Sequence, residues 1–298
     1  MYDIAIVGGG VAGITAAIFA ARRQLKTAIL FQQPGGQLPN VLDIENWPGE
    51  EHINGADLAN KLLKHLNKYP IEIKYAMAEK IEKQEDAFIV KSPNGEVRAK
   101  SLVLAYGKSP SKLNVKGEED FIGRGISYCV NCDGQFFKGK AVAVVGGGNS
   151  ALETALTMAE IASSVYLLHR KESFRGDEVL IDKVINNQKI EKIFNDEIVE
   201  IKGENVVNSI LTKTGREISV DGVFVEVGHV ADDSIVRGLV ETNESKHIIT
   251  DRYQATSCPG IFAAGDITDL DHKQLIIASG QGANAALSAV KYLQGLKK

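Results

Sequence analysis

The segment Cys129-Val130-Asn131-Cys132-Asp133 sets two thiols two residues apart with a carboxylate directly after them. Such a pair can serve as a redox dithiol, as half of a zinc site, or as two unrelated buried cysteines. Two intervening residues let the sulfurs close a disulfide, and exchange with a second disulfide then needs a thiolate at one of them. A free cysteine titrates at about 8.5, so a proton acceptor beside it raises the reactive fraction at neutral pH. Asp133 can take that role only where burial raises its affinity for a proton; otherwise it is a turn residue ahead of Gly134. A four-ligand zinc site needs a second pair, and Cys258 with six scattered histidines supplies none at a recognised spacing. An odd total of three cysteines is also unlike the disulfide framework of a small secreted domain.

A second kind of chemistry is written in glycine. Gly8, Gly10 and Gly13, with Ala12 between the last two, form a GxGxxG turn after the apolar run Tyr2 to Val7 and before the Ala-rich stretch Ile14 to Arg23. Strand, turn and helix in that order suit a dinucleotide: Gly8 permits the turn, Gly10 lets a pyrophosphate approach the backbone, and Gly13 lets helix and strand pack closely. The free N–H groups of the helix N-terminus then face the phosphates. Ile4 to Gln33 can be laid on Val142 to Lys171 without a gap, pairing the three glycines of the first turn with Gly146, Gly147 and Gly148; Ala151 replaces the third glycine of the fingerprint. Two such units imply two dinucleotides. They differ at the end of their second strands, where an acid or an Arg discriminates the ribose. The second copy has His169-Arg170-Lys171 and then Arg175, cations that favour a 2′-phosphate and hence NADPH, unless they are a solvated basic loop. The first copy ends in Gln32-Gln33, with no acid for an NAD-type ribose contact.

The elements that must position these groups follow from periodicity. Pro34 to Leu38 is a turn-forming stretch, and Asp43 to Gly49 a polar loop suited to wrapping a planar cofactor or to an ordinary surface. Ala56 to Tyr69 has a helical apolar face. Ile71 to Tyr75, Ala87 to Val90, Val97 to Ala99 and Leu102 to Ala105 read as strands, the last ending in Tyr106-Gly107. Gly and Pro punctuate Ser109 to Gly125 as a domain boundary, strands fill Ile190 to Val225, and Gly228-His229 marks the way back. Ile261 to Ala264 is a final buried strand running into Gly265-Asp266, and Gln281 to Leu296 a closing helix. The 298 residues, 44% hydrophobic and 24% charged, suffice for two domains. A net charge of -4 and the lack of a basic stripe argue against a nucleic-acid backbone as the main ligand. The N-terminus enters a strand with no secretory pattern, and no apolar run reaches the roughly 20 residues of a membrane helix. A cytoplasmic protein is expected, with neither nucleic acid nor membrane as partner.

Taken together, GGGVAG, GGQL with IENWPG, GRGISYCVNCDGQFFKGKAVAVVGGGNSALE, HRKESFR and GIFAAGDI resemble the low-molecular-weight thioredoxin reductases across essentially the whole chain. The resemblance implies an α/β flavoenzyme with two Rossmann-like dinucleotide-binding domains, the NADPH domain inserted into a discontinuous FAD domain. It divides the chain into residues 1–113, 114–238 with the CxxC, and 239–298. FAD would lie on Gly8, Gly10, Ala12 and Gly13, with Gly36, Gln37, Leu38, Asn46, Gly107, Gly265 and Asp266 around it and Lys273 and Gln274 near the flavin. NADPH would use Gly146, Gly148, Asn149, Ser150, Ala151 and Gly228, with Arg170, Lys171 and Arg175 at the 2′-phosphate. Cys132 would exchange electrons with the flavin, Cys129 would attack the disulfide of a thioredoxin-like partner, and Asp133 would handle the protons in a homodimeric enzyme. Three departures are visible: Ala105-Tyr106-Gly107 where Ala-Thr-Gly is usual, Lys171 in place of an Arg, and no proline in Gly228 to Asp232. Relatives that take electrons from another donor, or that oxidise dithiols with oxygen, are the alternative; a flavin-bound redox sensor is another. The second glycine turn and the basic cluster argue for NADPH.

Overall fold

The structure, a computed structural model, describes residues 1–41 and 44–296. Asp43, at the start of the expected polar loop, lies outside the described residues. The chain forms two compact units, Met1–Ser109 with Ala231–Lys298, and Pro110–Val230. The crossings fall at 109–110 and 230–231, where the sequence reading has 113–114 and 238–239. Burial explains both offsets: Ala231, Val236 and Val240 join a core of the first unit, while Leu113 and Val115 pack on a core of the second.

The first unit opens with β1 (Tyr2–Val7), α1 (Val11–Arg22), β2 (Thr27–Phe31), α2 (Gly55–Leu66), β3 (Ile71–Tyr75), β4 (Lys80–Lys83), β5 (Phe88–Ser92) and β6 (Gly95–Leu104). After β7 (Ser109–Pro110) the second unit contributes β8 (Ile126–Ser127), α3 (Val130–Asp133), β9 (Ala141–Gly146), α4 (Asn149–Ile161), β10 (Ser164–His169), α5 (Glu178–Asn186) and β11 (Ile190–Phe194). It continues with β12 (Ile198–Gly203), β13 (Val207–Thr212), β14 (Glu217–Ser219), β15 (Gly222–Glu226) and β16 (His229–Val230). The chain then completes the first unit with β17 (Ile261–Ala263) and α6 (Leu275–Gly295).

In the first unit the strands run in the order β3-β2-β1-β6-β5-β4. Strand β6 pairs antiparallel with β5 through residues 95–99, and parallel with β17 through residues 102–104. Strand β1 is parallel to both of its neighbours, and its residues Ile4 to Val7 are all buried. Such a continuous apolar run belongs to a parallel sheet covered on both faces. Helix α1 covers one face with small side chains, Ala16, Ala17 and Ala20 being fully buried. Helix α6 then comes so close that a Cβ on Gly282 would overlap the Ala12 carbonyl.

Two elements are longer than the residue pattern implies. Val97 to Ala99 and Leu102 to Ala105 belong largely to the one strand β6, because Ser101 between them is fully buried and its hydroxyl donates to the Gly260 carbonyl at 2.8 Å. A satisfied hydroxyl carries no penalty for burial. The last helix begins at Leu275 instead of Gln281; Gly280 and Gly282 lie inside it, the latter serving contact with α1.

The second unit repeats the plan. Its sheet runs β11-β10-β9-β15-β8, parallel at every pairing. Val11 and Asn149, the first residues of α1 and α4, are the positions that the gapless alignment pairs. The stretch Ile190 to Val225 divides between this sheet and the antiparallel β12-β13-β14.

Candidate active site

At the first glycine turn, Gly8 has φ +120° and a Cβ there would overlap the Ala105 carbonyl; a Cβ on Gly13 would overlap the Gly8 carbonyl. These two glycines are demanded by the polypeptide itself. Gly10 differs, because a Cβ there would meet nothing within 4 Å, and it begins α1 without a side-chain cap. An open backbone face at an uncapped helix N-terminus fits a pyrophosphate. Gly36 lies against it: a Cβ on Gly36 would come within 3.0 Å of the Gly10 Cα. A Cβ on Gly265 would likewise lie 3.1 Å from the Ala12 Cβ, so the turn carrying Asp266 packs at this end of the sheet.

The other expected residues of this unit are tied to one another. Gln37 Nε2 donates to the Lys108 carbonyl at 3.1 Å, and Asn46 Nδ2 to Gln274 Oε1 at 3.3 Å. Lys273 Nζ donates to the Thr268 carbonyl at 2.6 Å, and burial, followed by the charge of Lys108, lowers its proton affinity. Leu38 is a core residue, buried with Ile44, Ile53 and Leu58, so its side chain serves packing. Gly107 has φ +69° and open space on its Cβ side. The phenol of Tyr106 packs on the core with Ile235 and Leu239, and its buried Oη has no hydrogen-bond partner among the described residues. Burial, with Asp232 and Asp233 nearby, pushes its pKa up.

At the second turn a Cβ on Gly146, φ +154°, would overlap the Glu226 carbonyl and crowd Ala151. Gly148, like Gly10, is open and begins its helix without a side-chain cap. The basic loop is folded back on this turn: the Arg175 N–H donates to the Gly147 carbonyl at 2.7 Å. Asn149 anchors the same loop by giving Nδ2 to Asp177 Oδ2 at 2.9 Å and accepting the Asp177 N–H at 2.8 Å. Arg170, Lys171 and Arg175 are exposed, as is Ser150, and no ion pair among the described residues engages the three cations. His169 is buried under the turn, its Nε2 without a hydrogen-bond partner among the described residues; burial and then Arg175 push its pKa down, so it is neutral at pH 7. Gly228 has φ +102°, and its carbonyl accepts the Ser111 N–H at 2.9 Å.

Glu226, which sequence reasoning missed, ends β15 beside this turn and accepts the Thr154 hydroxyl at 3.0 Å. Burial raises its pKa from the ordinary 4.5 to about 7, with the Glu153 charge adding to the effect. The only sign of it in the sequence is an acid closing the apolar run Val223 to Val225. Between pH of about 4.5 and 7 the unfolded chain has lost this proton and the native chain keeps it, so stability falls as pH rises through that window, by up to about 3 kcal/mol. We expect Glu226→Gln to flatten the slope and to be the more stable protein at pH of about 8. Urea midpoints at both ends of the window check this, and equal slopes for the two proteins would refute it.

Cys129 and Cys132 form a disulfide, which selects the dithiol among the three readings; Cys258 is buried. Cys129 is the N-cap of the four-residue helix α3, and its Sγ accepts the Cys132 N–H at 3.2 Å. The segment leading in is pinned by Glu118, which is 1% exposed. Its carboxylate accepts the Tyr128 hydroxyl at 2.9 Å and the N–H groups of Leu113 and Asn114 at 2.8 and 2.6 Å. Asp133 accepts the Ser127 hydroxyl at 2.7 Å. Ser127 was also missed; its signal is a polar residue inside a buried strand, two positions before Cys129. The disulfide, its acid and the second glycine turn are thus built on one parallel sheet.

A CxxC disulfide in the same unit as one glycine turn, together with a second turn of the same design in the other unit, defines a class. Residues 2–287 match the family described as pyridine nucleotide-disulphide oxidoreductase, and the chain belongs to that family. Within it the similarity runs to thioredoxin reductases. The thioredoxin reductase of Bacillus subtilis is 37% identical over 100% of this chain and 96% of its own length. The crystal structure of Lactococcus lactis thioredoxin reductase superposes with a TM-score of 0.89 at 37% identity, covering 99% of this chain and 100% of that one. An NADH dehydrogenase of Bacillus subtilis is 38% identical over 98% of this chain, which spans 58% of that longer protein. No helix among the described residues is long and apolar enough to cross a membrane.

Proposed function

We propose that the chain is an NADPH-dependent thioredoxin-disulfide reductase, with FAD on the first glycine turn and NADPH on the second. The observation that carries this reading is the Cys129–Cys132 disulfide, flanked by Asp133 and held in the same unit as an open, base-rich nucleotide turn. The first unit is then the FAD domain and Pro110–Val230 the inserted NADPH domain. FAD supplies the two-electron relay between nicotinamide and disulfide that side chains cannot perform. The residues of the chain do the rest. Gly10 and Gly148 admit the pyrophosphates, and Arg170, Lys171 and Arg175 hold the 2′-phosphate. Reduction of the internal disulfide takes up two electrons and two protons. The Cys129 thiolate then attacks the partner disulfide; a mixed disulfide forms as that bond breaks, and the departing sulfur takes a proton. The Cys132 thiolate attacks the Cys129 sulfur, which restores the internal disulfide and frees the second partner thiol. Asp133 accepts and returns the thiol protons. A thioredoxin-like partner, a homodimer and a cytoplasmic setting belong to the same reading.

Turnover of thioredoxin-like proteins with NADPH against NADH tests it. Anaerobic NADPH should bleach the flavin, and unchanged absorbance would remove NADPH from the reading. Oxygen consumption and donor range separate the alternative, a dithiol oxidase or a reductase with another donor. Replacing Arg170 and Arg175 together by Ala is expected to raise KM for NADPH about tenfold or more, as for lost charge-assisted hydrogen bonds. KM for NADH should stay within about twofold, since no 2′-phosphate is present to lose its partners. An equal rise for both nucleotides would deny these side chains the phosphate role.

A further inference from the structure

Ser127 ends β8 and is 4% exposed. Its strand is held in the parallel sheet by the pairings Ile126 with Val223 and Ser127 with Phe224, and Phe224 is fully buried. The Ser127 Oγ accepts the Cys129 N–H at 3.0 Å and lies 2.7 Å from Asp133 Oδ2, with the Cys129 carbonyl oxygen farther away at 3.2 Å. A hydroxyl has one proton to give, and the nearer, charged carboxylate is the stronger acceptor. One atom therefore holds the backbone of the first cysteine and the side chain of the acid that follows the second. Helix α3 has four residues, fewer than a helix needs to be stable alone. The helix is also tied to Cys129 by the Asp133 N–H to the Cys129 carbonyl and the Cys132 N–H to the Cys129 sulfur, both at 3.2 Å.

We propose that Ser127 is the positioning residue of the dithiol, fixing the Asp133 carboxylate against the CxxC turn so that proton transfer accompanies disulfide exchange. The inference rests on the reading of Asp133 as the proton acceptor. As a substrate disulfide is attacked, the Cys129 thiol passes its proton to the carboxylate. Its sulfur bonds to one substrate sulfur, and the other substrate sulfur leaves with the electron pair of the broken bond. The Cys132 thiol gives up its proton as its sulfur displaces the second substrate thiolate from Cys129; the two protons pass to the two substrate sulfurs, or to solvent where these stay as thiolates, so two thiols are oxidised and one substrate disulfide is reduced. Without the Ser127 hydroxyl the carboxylate is no longer held against the CxxC turn. The thiol then loses its positioned proton acceptor and reacts only as the thiolate that solvent supplies, which needs higher pH.

The test uses the flavin-loaded protein, reduced with dithiothreitol, freed of reductant without oxygen and mixed with dithiobis(nitrobenzoate). Thiolate release is followed across pH, so no NADPH enters the measurement. Ser127→Ala is expected to react about tenfold more slowly at neutral pH and to shift the acidic limb of the profile up by about one pH unit, the scale of one hydrogen bond to a charged group. Ser127→Thr should keep the limb in place and the rate within about twofold of wild type. Should Ser127→Ala not fold, Ser127→Thr and Ser127→Val carry the same comparison, being alike in shape and differing in the hydroxyl. Asp133→Asn should move the limb up toward the value of a free thiol, about 8.5. If it leaves the limb where it is in wild type, the reading of Asp133 fails and this inference with it. If Asp133→Asn moves the limb while Ser127→Ala or Ser127→Val leaves it unmoved, at whatever rate, Ser127 is structural only and the inference alone is overturned.

Discussion

Cys132→Ser is expected to lower turnover of a protein disulfide by about 10³-fold or more, the scale on which enzymes respond to loss of a group that forms the bond, while NADPH still bleaches the flavin. Cys129 and Cys132 close one disulfide, and the Cys132 N–H donates to the Cys129 sulfur, so this bond places the second cysteine directly behind the first. With serine at 132, Cys129 can still attack a partner disulfide, but no second thiol resolves the mixed disulfide that results. The complex should accumulate and be seen as one band on a non-reducing gel, released by dithiothreitol. Burial gives no reason for a stability loss, since Cys132 is exposed. Sustained turnover of this variant would show that electrons leave by another route, and the proposed function would have to be rebuilt.

The second large effect separates two glycines of one motif. Gly13→Ala should leave little folded protein, with a cost of about 4 kcal/mol or more, in the range reserved for severe steric conflicts. The added methyl would overlap the Gly8 carbonyl, and that carbonyl belongs to a turn whose Gly8 N–H is tied to Leu30 at 2.8 Å. Neither backbone can yield without opening the sheet. Gly10→Ala should fold with a stability within about 0.5 kcal/mol of wild type, because φ at Gly10 is -74° and the new methyl would meet nothing within 4 Å. It should nevertheless lose flavin, since that open face is where the proposed FAD pyrophosphate must approach the backbone. Soluble yield, melting temperature and the visible absorbance of the purified proteins read both outcomes. Full flavin content in a folded Gly10→Ala would move the cofactor away from this turn.

These predictions mark how far local patterns carried. The two glycine turns, their gapless repeat and the CxxCD run are short-range signals: each is a few neighbouring residues whose conformation depends mostly on one another. Helices α1 and α4 accordingly begin at the two residues the repeat aligns. The error over β6 arose because Ser101 is polar by type and buried in fact, its hydroxyl satisfied by Gly260, a residue remote in sequence. The start of α6 was misplaced because Gly280 and Gly282 weaken a helix by propensity, whereas in the fold Gly282 buys the close approach to Ala12.

The sequence by itself determined the kind of chemistry: a dithiol with an adjacent acid, two dinucleotide turns, and basic residues after the second. Tertiary structure decided which side chains hold that chemistry in place. Glu226 reaches Thr154 at 3.0 Å because β15 lies beside β9 in a parallel sheet. Ser127 becomes a fixed point because β8 joins that sheet at its edge. Parallel strands are joined by long crossovers, so their neighbours are far apart in the chain, and no local spacing announces them. The CxxC pair was narrowed to a dithiol by the motifs around it in the sequence, but the hydroxyl that holds its acid could be found only once the sheet was formed.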